Sequence, residues 1–205
     1  MKNFPKILLT LFITALLLLG FALPLNPAGN WYQQFLPNIG GRTIQDITFL
    51  DSLTGYATAR QSGDTSYILK TINGGDSWQI VYRNFFAMTQ IQFLNVNTGY
   101  ACGAYLFKTI DGGFSWNQVT APAISPEELF VLSEDTIWII SSNSLVGGVF
   151  FTSNGGVNWQ PQLNLGSQNP NHIYMFNGRI GFRAEDGFYL RKTTDSGMNW
   201  TLISG

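Results

Sequence analysis

Two carboxylates facing one another across a cleft can break a glycosidic bond, one as acid and the other as base or nucleophile. Asp64, Glu127, Glu128, Glu185 and Asp186 all fall in segments of loop-like composition, and no pair among them is marked by a motif. Glu127 and Glu128 follow Pro126 and read first as a solvated turn. The arginines Arg42, Arg60, Arg83, Arg179, Arg183 and Arg191 are scattered. Arg183 and Arg191, with Lys192, read as strand-face residues. His172 is the sole histidine and Cys102 the sole cysteine, far apart in sequence, so neither a thiol–imidazole pair nor a histidine metal site is expected. Cys102 reads as a buried, inert thiol and can form no internal disulfide. Phe85 and Phe86 are adjacent aromatics in a predicted connection, suited to stacking on a sugar or filling a partner's pocket.

The composition narrows the classes. Charged residues make up 11% of the 205, against roughly 25% in an average soluble chain. The polar surface must therefore come from Ser, Thr, Asn, Gln and Gly. The 22 glycines and 15% aromatics suit turns and packed sheets. Eleven basic residues stand against twelve acidic ones, which argues against nucleic acid as a partner.

Lys2 and Lys6 precede an apolar run from Ile7 to Leu19, and Gly20-Phe21-Ala22 offers small residues for cleavage. Residues 1–28 thus have the pattern of a secretory signal peptide, with an uncleaved membrane anchor as the competing reading. The expected location is secreted, periplasmic or at the cell surface, with membrane contact only through this segment.

What positions the candidate residues is an internal repeat. Lys70-Thr-Ile-Asn-Gly-Gly-Asp-Ser-Trp78, Lys108-Thr-Ile-Asp-Gly-Gly-Phe-Ser-Trp116, Phe151-Thr-Ser-Asn-Gly-Gly-Val-Asn-Trp159 and Lys192-Thr-Thr-Asp-Ser-Gly-Met-Asn-Trp200 align without gaps. Their tryptophans lie 38, 43 and 41 residues apart. A second element recurs upstream: Ile47-Thr-Phe-Leu-Asp-Ser-Leu-Thr-Gly-Tyr56 matches Ile91-Gln-Phe-Leu-Asn-Val-Asn-Thr-Gly-Tyr100, with weaker copies around Phe130 to Trp138 and Ile173 to Phe182. Alternating apolar and polar residues predict four short strands per unit, A to D. In the first unit these are about 44–50, 55–60, 67–71 and 78–83. The units run approximately 42–83, 87–121, 128–164 and 171–205. A period near 40 with four strands predicts an all-β propeller of about four antiparallel blades, over residues 29–205.

The repeated box has its own logic. Asn-Gly and Asp-Gly pairs make tight turns at positive φ. The Asn or Asp side chain and the Thr hydroxyl can bond amides across the turn, and Trp then opens strand D. Thr71, Asn73, Gly75 and Trp78 are therefore read as structural, as are Thr109, Asp111, Gly113 and Trp116. So are Thr152, Asn154, Gly156 and Trp159, and Thr193, Asp195, Gly197 and Trp200. Each loop offers too few oxygens for calcium.

These boxes resemble the Asp-box, or bacterial-neuraminidase, repeat. The longer unit is similar to the photosystem II stability/assembly-factor type of repeat. The resemblance covers nearly all of residues 30–203. It implies a propeller whose boxes lie opposite the ligand face, which the D–A and B–C loops then form. Candidate ligand residues there are Arg42, Arg60, Asp64, Phe85, Phe86, Glu185 and Asp186. A sialidase would carry an arginine triad, a Tyr/Glu pair, an acid Asp and an Arg-Ile-Pro stretch; no Arg-Ile-Pro occurs. The expectation is a non-catalytic binding or scaffold module for a protein or surface glycan, without cofactor or metal. A glycoside hydrolase and a photosystem assembly chaperone are the alternatives.

Asn30-Trp31-Tyr32-Gln33-Gln34 looks like a strand D whose A–C strands are missing. Four complete units plus an orphan strand do not close neatly. The expectation is therefore the N-terminal part of a longer propeller; a four-bladed ring with an extra strand, or an open arc, are the alternatives.

Overall fold

The computed structural model describes residues 33–204 except 62, 64, 123–124, 142–147 and 165–169. The chain divides into the units Met1–Gln33 and Gln34–Gly205; the leader and Trp31 lie outside the described residues.

The described residues form sixteen strands in four antiparallel sheets. Sheet 1 holds β1 (Thr43–Phe49), β2 (Gly55–Arg60), β3 (Ser66–Thr71) and β4 (Gln79–Asn84). Sheet 2 holds β5 (Met88–Phe93), β6 (Gly99–Gly103), β7 (Leu106–Thr109) and β8 (Asn117–Val119). Sheet 3 holds β9 (Glu128–Val131), β10 (Ile137–Ser141), β11 (Gly148–Thr152) and β12 (Gln160–Asn164). Sheet 4 holds β13 (Pro170–Met175), β14 (Gly181–Glu185), β15 (Tyr189–Thr193) and β16 (Thr201–Ser204). Within each sheet the strands neighbour one another in chain order, so each predicted unit is an up-and-down blade. The fourth strand starts one residue after the box Trp, because the Trp still belongs to the turn. Gln33 to Ile39, where the orphan strand was expected to continue, carry no strand.

Blades pack face to face in chain order: β1 and β2 on β5, β5 and β6 on β9, β9 and β10 on β13. Alternation along the strands assigns each residue to one face. Ile91 and Phe93 of β5, Leu129 and Val131 of β9, and Ile173 and Met175 of β13 are buried against the preceding blade. Tyr56, Tyr100 and Trp138, central in β2, β6 and β10, are fully buried against the following one. Polar side chains on the first strands bridge the same junctions. Asp46 Oδ2 accepts from Ile91 N at 2.8 Å, and Gln92 Oε1 accepts from Val131 N at 2.8 Å. An apolar face fixed at its edge by side-chain-to-amide bonds sets the register between blades as well as their adhesion.

Candidate functional site

One end of every blade is occupied by its own folding device. In box 1, Thr71 Oγ1 accepts from Gly75 N at 2.9 Å and donates to Asn73 Oδ1 at 2.9 Å, while Asn73 Oδ1 accepts from Ser77 N at 3.0 Å. The same three bonds recur in box 2 (Thr109, Asp111), box 3 (Thr152, Asn154) and box 4 (Thr193, Asp195). Both central residues of each turn have positive φ, which explains the paired glycines; Ser196, at φ 66°, is the one non-glycine. Each box also donates an amide to the neighbouring A–B turn: Gly74 to Leu53 O, Gly112 to Asn97 O, Gly155 to Asp135 O and Ser196 to Arg179 O. Three of those A–B turns are closed by Asp51, Asn95 and Asn177, each accepting from two backbone amides, and the third blade's by Ser133, accepting from one. These hydrogen-bond donors and acceptors are spent on the fold.

The opposite end is formed by the D–A and B–C connections and carries none of these boxes. Blades 1, 2 and 3 enclose there a cleft of about 350 Å³, lined by Arg60, Ala87, Thr89, Gly103, Ala104, Ser125, Pro126 and Glu127. A second cleft of about 360 Å³ adjoins it, lined by Gly41, Thr43, Gln45, Arg60 and Gln61. Arg60 is shared, so the two form one track. Gln45 and Thr89 are the extra residues of bulges in β1 and β5, where the register shifts between Ile44 and Asp46 and between Met88 and Gln90. A bulge re-aims a side chain that would otherwise follow the pleat, and here both bulged residues line the track. The backbone flanking Thr89 is drawn close to the neighbouring loop: Ala104 N donates to Ala87 O, and a Cβ on Gly103 would lie 2.4 Å from that oxygen. Gly103 therefore admits no side chain.

Beside the cleft stands an aromatic cluster. Phe86 meets Tyr105 edge-on at 5.0 Å and lies stacked towards Phe107 at 6.4 Å, and Phe85 is 90% exposed. Phe85 and Phe86 run directly into Ala87, and Tyr105 follows Ala104. The aromatic surface and the cleft are thus carried by the same two loops.

The predicted ligand residues divide. Arg60, Phe85 and Phe86 come together here. Arg42 is built into the fold: its guanidinium donates to Thr65 O at 2.7 Å, Thr65 Oγ1 at 2.6 Å and Ile39 O at 3.0 Å, and lies 4.0 Å over the Tyr67 ring. Glu185 is buried in blade 4, paired with Arg183 and with Arg191 Nε at 2.9 Å. Asp186 accepts from Asn171 Nδ2 at 2.8 Å on blade 4, away from this cleft. Asp64 lies outside the described residues. Of the other carboxylates, Glu128 sits between blades 3 and 4 with His172 Nδ1 at 3.5 Å, and burial raises its pKa above the ordinary carboxylate value. Glu127 alone lines the cleft. Cys102 is fully buried, and burial pushes its thiol well above the ordinary range. Among the described residues no group of three His, Cys, Asp or Glu could hold a metal ion. Thr89, Ser125 and Tyr105 were not singled out in the sequence. Only the bulge, invisible without the pairing register, marks Thr89.

No protein-family model matches the chain, and neither does any curated protein. Solved structures do. The chain is similar to the GH74 enzyme of Niastella koreensis (15% identity, TM-score 0.65, covering 78% of this chain and 30% of that one). It is also similar to an ancestral GH74 enzyme (19%, TM-score 0.61, covering 83% and 26%). A further match is YCF48 bound to a D1 peptide (19%, TM-score 0.47, covering 80% and 69%). The chain spans less than a third of the length of either GH74 enzyme. Likeness at such identities shows architecture: the chain is an all-β propeller protein whose described residues form four four-stranded blades.

Proposed function

We propose that this chain is a non-catalytic, exported binding module that holds a segment of a protein partner at the D–A/B–C end of blades 1 to 3. The observation that carries this reading is the joining of the Arg60–Glu127 cleft to the exposed Phe85, Phe86 and Tyr105 surface on the same loops. An exposed aromatic beside a cleft with one basic and one acidic residue suits an extended peptide. The rings anchor it and the charges fix its direction. Hydrolysis of a glycoside would ask for a second carboxylate across the cleft from Glu127. Glu185 is locked between two arginines and Glu128 is turned towards blade 4. Export rests on the leader pattern of residues 1–28.

Binding to a peptide array and a glycan array, each read beside glycosidase assays, tests this. Peptide binding lost on Phe85→Ala and weakened by Arg60→Ala supports the proposal. Turnover of any glycoside that depends on Glu127 overturns it, and glycan binding without turnover replaces the protein ligand with a sugar.

A further inference from the structure

The described residues contain one interface three times, and the first and last of the described blades each expose most of one half of it. The rear half is best seen on the first strands. Ile91, Leu129 and Ile173 share one position and are buried, yet Ile47 at that position in blade 1 is 53% exposed. Phe93, Val131 and Met175 share the next and are buried, while Phe49 is 44% exposed. The forward half shows the converse. Thr48, Gln92 and Phe130 face a following blade; Tyr174 at their position in blade 4 is 56% exposed. Tyr56, Tyr100 and Trp138 are fully buried there, but Phe182 is only partly covered. Lys70 donates across its junction to Gly112 O at 3.3 Å and Lys108 to Glu134 at 2.9 Å, and Lys192 holds their place on blade 4.

We infer that blade 4 of one copy docks on blade 1 of a second copy, repeating the internal junction head to tail. The two exposed faces are complementary because they are the two halves of the same repeated contact. Two copies supply eight blades, within the usual range for a closed propeller of four to eight, and a heterologous contact that closes makes a finite assembly rather than a fibre. Lys192 comes to the A–B turn of the second copy, where Ser52 stands at the place of Glu134 and Asp51, one residue earlier, keeps Oδ1 on the Leu53 and Thr54 amides and offers its other carboxylate oxygen. One element must move. Gln34 lies against Gly75 and Trp78, its Nε2 donating to Gly74 O at 3.3 Å. Val81, Val119 and Gln162 lie against the equivalent glycines at the internal junctions. Ile203 of the incoming copy takes that place, so Gln34 is a plug on the outer edge of the rear face.

Sedimentation of the full chain tests this. The expected species has twice the 22.8 kDa of one chain. Ile47→Glu and Tyr174→Glu, both at exposed positions, each reduce it to one chain; Tyr174 also meets Phe130 and Phe176 edge-on at 5.3 and 5.2 Å, so the melting curve of each variant is recorded beside its sedimentation. Mixing the two variants restores pairing, because one junction then joins two unaltered faces. A species that stays at one chain at every concentration, or a pair indifferent to both changes, overturns the inference and leaves the faces to another occupant such as further repeat units. Should either variant unfold, zero-length cross-linking of isotopically mixed, unaltered copies decides. A Lys192–Asp51 link between light and heavy copies is expected, and its absence overturns the proposal.

Discussion

Tyr56 of blade 1 lies flat on Phe93 of blade 2, ring centroids 3.5 Å apart and planes within 7°. Trp116 meets the same Phe93 edge-on at 6.0 Å, so the second box is tied to the first junction. Phe49 meets Trp78 in the same edge-on way at 6.0 Å in blade 1, but among the described residues no ring lies over it as Tyr56 lies over Phe93. Phe93→Ala should cost about 3–5 kcal/mol, the range for removing a buried aromatic. Phe49→Ala should cost less than half of that. Denaturant melts of the two variants measure the difference directly, and equal losses would show that Phe49 is covered in solution.

Acid should act on two of the four boxes. Asp111 is held down to about 2 by bonds from the Ser115 side chain and backbone and from Thr109, and Asp195 is lowered by Asn199. A folded-state pKa below the ordinary 3.8 contributes stability that is fully present above that value and is lost as pH falls through 2. Boxes 1 and 3 use Asn73 and Asn154, which do not titrate. Asp111→Asn with Asp195→Asn should therefore flatten the fall in melting temperature between pH 4 and pH 2 while keeping the fold at pH 7. A double variant as acid-sensitive as the parent would show that other carboxylates control it.

Ser196 holds a left-handed conformation where the other boxes have glycine, and its carbonyl accepts from Gln162 Nε2 at 2.6 Å and Trp138 Nε1 at 3.3 Å. Ser196→Gly relieves the Cβ strain and leaves those bonds in place. It should raise stability by about 0.5–1 kcal/mol, read as a higher melting temperature. A loss would mean that the Ser hydroxyl contributes more than the strain removes.

Glu185 is paired with Arg183 and Arg191, and Arg183 also lies 5.0 Å over the Trp200 ring. Glu185→Ala leaves two guanidinium groups without their carboxylate and should cost about 3–5 kcal/mol. Blades 1 to 3 carry Ala57, Ala101 and Ile139 at the place of Arg183. A second change, Arg183→Met, should accordingly recover part of the loss. Ligand binding by either variant, corrected for folded fraction, should be unchanged, since neither residue lines the cleft.

The strands were legible because period-2 alternation and glycine-centred turns are local signals, and the boxes because each closes its bonds within five residues. Burial was not legible. Arg42 and Glu185 read as loop or loop-edge charges, but Thr65 and Tyr67 take up the first and two arginines the second. Only the packing of one blade on another decides which strand-end charge opens on a cleft. Gln34 is intermediate: the Trp31 pattern suggests a fourth strand, and Gln34 does take a fourth-strand residue's place on Gly75, while Gln33 to Ile39 carry no strand. Tyr105 was hidden by a short hairpin loop that the repeat alignment does not weight.

Each blade is an up-and-down meander whose strands pair only with their chain neighbours, closed by a turn that satisfies itself. None of the described strands waits for a partner from a distant part of the chain. Such a polymer, made from one end, can complete each sheet as it emerges and add it to the last, so the order of synthesis can also be the order of folding.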